Sequence, residues 1–85
     1  MGEVLHSTTD TPQAAYLIQA GFTLLRIQYS SLPNGKRQAT FIFDSSDTQL
    51  QANINLYNQG KAVINLAIYE HIKSGLLDRI MRGLP

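Results

Sequence analysis

Two stretches of the chain alternate between apolar and polar residues with the period of a pleated strand. Thr23 to Tyr29 sets Leu25, Ile27 and Tyr29 on one face, and Arg37 to Phe43 does the same with Ala39, Phe41 and Phe43. Between them lies Ser30-Ser31-Leu32-Pro33-Asn34-Gly35. Pro33 presets the first turn position, Asn34 tolerates the second, and Gly35 can take the positive φ of a type I turn followed by a bulge. The pattern predicts a β-hairpin over about 23–29 and 37–43 with Leu25, Ile27, Tyr29, Ala39, Phe41 and Phe43 facing the core. The other face carries Leu24 and Ile42 beside Arg26, Gln28, Gln38 and Thr40. That mixture suits a face in solvent, a partly covered face or a contact surface.

Around the hairpin the period changes to that of a helix. Ala14, Tyr16, Leu17 and Ile18 follow Asp10-Thr11-Pro12 and precede Gly21, which predicts a helix over about 12–20, capped by Asp10 or Thr11 and stopped by the glycine. Ser46-Asp47-Thr48-Gln49 matches a capping box ahead of Leu50, Ile54 and Tyr57, with Asn53 among them, and Asn58-Gln59-Gly60 supplies a stop, so a second helix is expected over about 47–58. A third is expected over about 66–82, with Asn65 as N-cap. Its stripe is Tyr69, Ile72, Leu76 and Ile80, joined by Ile68, Leu77 and Met81, and Ser74-Gly75 should weaken or bend its middle. Val4 to His6 is a candidate further strand, with Ser7 to Asp10 as a loop, and Lys61 to Ile64 reads as a short extended segment. The expected fold class is α+β: a small antiparallel sheet around the central hairpin, packed on one face by helices.

Composition narrows the class. The 85 residues make a single domain over 1–85 with one modest core, no cysteine for disulfides or zinc thiolates, and no apolar stretch approaching a membrane span. A cytoplasmic protein is the default reading. Charged residues are 15% of the chain against roughly 25% in ordinary domains, and the net charge is +1, so little repulsion keeps copies apart. With so small a sheet, pairing of an edge or of the mixed face across a two-fold axis leaves homodimerisation open.

The chemistry-bearing residues are sparse. His6 and His71 lie in separate elements without metal-ligand spacing, adjacent Glu70 and His71 diverge on a helix, and Ser30-Ser31 and Ser45-Ser46 lack a nucleophile elbow. No catalytic residue, metal site or cofactor is assigned. The one local charge asymmetry is the hairpin: Arg26, Lys36 and Arg37 lie between Asp10 and Asp44 with no acidic residue among them. Such a ribbon could grip phosphates while Tyr29 stacks on a base. Three charges are few beside the about six to ten phosphate contacts of a strongly salt-dependent DNA binder. Lys and Arg at a hairpin tip also have ordinary edge-protecting roles. Arg26, Tyr29, Lys36 and Arg37 are therefore the candidate nucleic-acid or partner-binding residues.

The order Ala14-Ala15-Tyr16-Leu17, Gly21-Phe22 with Leu24-Leu25, Thr40-Phe41-Ile42-Phe43-Asp44, then Tyr57-Asn58-Gln59-Gly60 resembles a family of small phage and bacterial proteins classed as a domain of unknown function. The resemblance spans roughly residues 8–62. It implies a phage or mobile-element context and carries no catalytic residue across. The leading expectation is a non-enzymatic interaction module that binds another protein, such as an inhibitor of a host defence system. The alternative is a nucleic-acid binder using the basic hairpin.

Overall fold

The computed structural model describes residues 5–46 and 48–84. Through them run β1 (Leu5–Thr8), α1 (Thr11–Gln19), β2 (Leu24–Ser31), β3 (Arg37–Asp44), α2 (Gln49–Asn58) and α3 (Leu66–Arg82). The strands form one antiparallel sheet in the order β1-β3-β2. The fold is α+β, as the patterning predicts, with the second hairpin strand at the centre and the first at an edge.

The β2–β3 connection has the expected geometry. Gly35 N–H donates to Leu32 O (2.9 Å), closing the turn over Pro33 and Asn34, and Leu32 N–H donates to Lys36 O (2.7 Å) across the bulge. Gly35 has φ +81°, which a residue with a Cβ rarely adopts. Asn34 Oδ1 also accepts from Lys36 N–H (3.0 Å), using a turn residue's side chain to replace a ladder bond.

Phe41 and Phe43 are fully buried at the centre of the sheet, and with Ile27 they meet Ala14, Ala15, Tyr16 and Leu17 of α1, Leu50 and Ile54 of α2, and Leu76 of α3. α1 packs chiefly on α3 and also meets α2 and β1. The Asp10 carboxylate caps α1 by accepting from Gln13 N–H (3.3 Å), and Asn65 caps α3 through Ile68 N–H (3.2 Å). The α1 end follows the Schellman pattern: Phe22 N–H reaches Leu17 O and Gly21 N–H reaches Ile18 O, both at 3.0 Å.

Several expectations are corrected. The first strand covers Leu5–Thr8, so Ser7 and Thr8 belong to the sheet rather than to a loop, while Val4 lies outside the described residues. They extend because β3 is long enough to pair Ser7 with Ile42 and Thr8 with Phe41. Leu25 is not a core residue. A bulge between Leu24 and Arg26 pairs Leu24 with Phe43 and Arg26 with Ile42, so Leu24 packs against the core and Leu25 stands 43% exposed. α2 begins at Gln49 with Thr48 as N-cap and no side-chain cap bond, so Ser46 is not the cap. Ser46 N–H is taken instead by the Asp44 carboxylate at 2.9 Å. Residues 61–65 form no strand, and Val63 is 89% exposed. α3 runs unbroken through Ser74-Gly75, but Ile68, Leu77 and Met81 face outward and do not join its buried stripe.

Candidate functional site

The four hairpin candidates divide. Tyr29 and Arg37 both lie on the helix side of the sheet, with the Arg37 guanidinium 4.8 Å from the Tyr29 ring centroid. Both then reach the end of α3. Arg37 Nη2 donates to Ile80 O (2.9 Å), and the single Tyr29 hydroxyl proton is shared between Leu84 O (2.7 Å) and Arg79 O (3.2 Å). The last carbonyls of a helix lack partners within it and carry the negative end of its dipole, so a cation and a hydroxyl donor suit them. Gly83, at φ +68°, completes this closure, and a Cβ there would stand 3.1 Å from Arg37 Nη1. The chemistry of Tyr29 and Arg37 is thereby engaged in holding β2 and β3 to α3.

Arg26 and Lys36 are placed elsewhere. Arg26 pairs opposite Ile42 on the other face of the sheet, and Lys36 sits at the turn. Both are exposed, and neither side chain forms a hydrogen bond or ion pair among the described residues. Alternation puts Arg26 and Tyr29 on opposite faces, so the pair cannot grip a phosphate and stack on its base from one side of the ribbon.

The face bearing Arg26 is the less covered one. The buried residues of all three helices join the core on the Phe41 and Phe43 side. On the reverse, Ile42 is 6% exposed between Ser7 and Arg26 of the flanking strands and Leu5 is 41% exposed, while Leu25 stands 43% exposed at the bulge beside Arg26. Asp44 closes β3, and the Ser46 amide and hydroxyl hold its carboxyl below the usual range. A small apolar area bordered by Arg26, Gln28 and Thr40 results, and the outer edge of β2 pairs with no strand among the described residues.

A second feature lies at the other end of the molecule. Tyr16 of α1, Tyr57 of α2 and Tyr69 of α3 converge with Gly60, Ala62 and Ile64 around a pocket of about 210 Å³. Tyr16 and Tyr57 stack with centroids 5.6 Å apart, and the Tyr16 hydroxyl donates to Asn53 Oδ1 at 2.8 Å. The Tyr57 hydroxyl donates to the Asp10 carboxylate at 3.4 Å. Burial, followed by the negative charge of Asp10, pushes the Tyr57 phenol above its ordinary value. On α3, Lys73 Nζ stands 5.5 Å from the Tyr69 ring centroid and is paired with Glu70 at 3.3 Å. Helical periodicity alone accounts for these tyrosines as stripe residues. Their signal was available: each stripe places a residue with a polar tip where Leu or Ile would pack, and Asn53 interrupts the apolar face of α2.

The histidines take modest positions. His6 Nε2 lies 3.4 Å from Gln13 Oε1, His71 is exposed, and no group of three His, Cys, Asp or Glu gathers to hold a metal among the described residues. No described helix is long and apolar enough to cross a membrane.

A three-stranded antiparallel sheet in the order β1-β3-β2 with three helices defines a small α+β domain. The chain belongs to the family described as "Domain of unknown function (DUF5659)", whose profile matches residues 3–76. No significant match is found among the curated proteins or the solved structures.

Proposed function

We propose that this protein is a small non-enzymatic module that binds another protein through the open face of its sheet, as an accessory protein of a phage or other mobile element. The observation that supports this most is Leu25 standing exposed at the bulge of β2, an edge strand that pairs only with β3 among the described residues, with Ile42 on the neighbouring β3 and Leu5 exposed on β1. Exposed apolar side chains next to free strand amides and carbonyls offer both a hydrophobic anchor and main-chain hydrogen bonds to a partner strand. The groups that an enzyme would need to converge are committed separately: Asp44 to Ser46 at the end of β3, Glu70 to Lys73 on α3. A nucleic-acid role for the hairpin rests on Arg26 and Lys36, because Arg37 and Tyr29 hold the end of α3.

A photo-cross-linking residue at Gln28, on the open face, is expected to capture a protein that the same residue at Gln51, exposed on α2, does not. The captured partner, once purified, should bind the wild-type protein with a defined stoichiometry. Leu25→Asp should weaken that binding about tenfold or more, as a charge in the apolar centre of an interface does. Equal capture from both positions would overturn the reading. So would salt-sensitive nucleic-acid binding that disappears in Arg26→Glu with Lys36→Glu. Substituting Arg37 instead would confuse the result, because it releases α3 as well as removing a charge.

A further inference from the structure

From the tyrosine pocket we infer a second, independent binding site, one that takes a trimethylammonium head group carried by a larger molecule. Three observations lead there. First, the walls are aromatic and apolar: Tyr16, Tyr57 and Tyr69 come from three different helices, and Ala62 and Ile64 complete the lining. Ring quadrupoles attract cations and shed the water of an alkylated ammonium easily, and several rings arranged around one space are the usual host for such groups. Second, the charge beside the pocket has the right sign. The Asp10 carboxylate accepts from the Tyr57 hydroxyl at its edge, and its negative charge adds to burial, the larger cause, in making that phenol harder to ionise. The hydroxyls of Tyr16 and Tyr57 are already donating to Asn53 and Asp10, which leaves the aromatic walls with little to offer an anion. Third, Tyr69 already has an ammonium beside it, since Lys73 Nζ lies 5.5 Å from its centroid with Glu70 balancing the charge.

Size selects a head group rather than a whole ligand. About 210 Å³ falls short of the roughly 300–1,000 Å³ of sites that enclose drug-sized molecules. A compact trimethylammonium group fits such a space while the rest of its carrier stays outside. Two carriers share this chemistry, free choline and a trimethylated lysine side chain.

The chain has no tryptophan, and three of its four tyrosines line the pocket, so tyrosine fluorescence reads the site directly. The purified protein would be titrated with choline, with Nε-trimethyl-lysine, and with the neutral isostere of choline in which a quaternary carbon replaces the nitrogen. Saturable binding of a cation is expected, with the neutral isostere weaker by about threefold to thirtyfold, the range of a cation–π contribution. Tighter binding of choline would identify a free small molecule as the carrier type; tighter binding of the amino acid would identify a modified protein. Asp10→Asn keeps a good N-cap for α1 and removes the charge, so it should weaken cation binding about threefold without affecting the neutral isostere. Tyr69→Leu should abolish binding. If that variant fails to fold, ring-proton shifts of Tyr16, Tyr57 and Tyr69 in the wild-type protein during the choline titration decide the location. Equal affinity for choline and its neutral isostere would overturn the proposal, as would the absence of saturable binding by either cation.

Discussion

At its C-terminal end α3 meets Tyr29 and Arg37 of the hairpin, and along its first half Tyr69 stands with Lys73 beside the pocket. Each region sets a cation near a tyrosine ring, at 4.8 Å in the first and 5.5 Å in the second. Their surroundings differ. At the C-terminal end the guanidinium and the hydroxyl both continue to the carbonyls of Arg79, Ile80 and Leu84, so these polar atoms are satisfied by the backbone. At the other end three rings from three helices meet across a gap, and the loop carrying Gly60, Ala62 and Ile64 borders the gap without filling it. The same residue types thus close the fold at one end and leave a recess at the other. Availability to a ligand is decided by which backbone groups lie nearby, and the side-chain inventory does not reveal it.

The sharpest test of this contrast lies in the pocket wall itself. Tyr16 is 3% exposed, stacks on Tyr57 and bonds Asn53, so Tyr16→Ala removes a buried ring, a stacking partner and a hydrogen bond together. A loss of about 3–5 kcal/mol in urea unfolding is expected, a large part of the roughly 4–13 kcal/mol usual for a domain of this size. Tyr16→Phe keeps the ring and should cost only about 1 kcal/mol, the net worth of one hydrogen bond. Equal costs for the two variants would mean that the hydroxyl, and not the ring, supports this end of the molecule.

Much of this architecture is written in local pattern, and the departures have identifiable causes. The hairpin, its turn and the boundaries of α3 follow from period, Pro33-Asn34-Gly35, and the Asn65 cap, all features that act within a few residues. Leu25 departs from its expected place because a bulge adds one residue to β2 between Leu24 and Arg26: Ile27 and Tyr29 keep the core face while Leu24 takes the place expected of Leu25, an event that alternation alone does not announce. Ser46 fits a capping box in sequence, yet the Asp44 carboxylate two residues earlier competes for its amide and wins. The candidate residues illustrate a different limit. Arg37 reads as a hairpin-tip charge and Tyr29 as a core-face ring that could stack on a base, but their partners Ile80 and Leu84 lie 43 and 55 residues away. The pocket likewise depends on three helices meeting, which no single helical stripe encodes.

At the hairpin end the expected effects are smaller. Arg37→Ala removes a charge-assisted bond to Ile80 O from an exposed position and should cost about 1–2 kcal/mol; Tyr29→Phe should cost about 1 kcal/mol. The two side chains touch and hold the same last turn, so the double variant should cost less than the sum by about 0.5 kcal/mol or more. Faster amide exchange at Leu84, whose N–H reaches Arg79 O at 2.9 Å, should accompany either change. Strict additivity would show that hydroxyl and guanidinium act on α3 separately, and the closure would then not be a single unit.

The smallest effect is also the one that links stability to the pocket. The Tyr57 phenol is raised above its ordinary value, first by burial and then by the charge of Asp10. The folded protein therefore holds this proton more tightly than the unfolded chain does. The stabilising contribution is fully present below the unfolded value of about 10. It is lost as pH rises through the higher folded value, because the unfolded chain releases its proton first and is favoured by doing so. Phenolate absorbance should accordingly show one tyrosine ionising later than an ordinary phenol, and Tyr57→Phe should remove that late step along with its share of the alkaline loss of stability. Asp10→Asn should bring the step to lower pH without removing it, since burial, the larger cause, stays in place. If Asp10→Asn leaves the titration unmoved, the carboxylate exerts no potential on the ring it bonds, and the hairpin end alone would pair its aromatic group with a working charge.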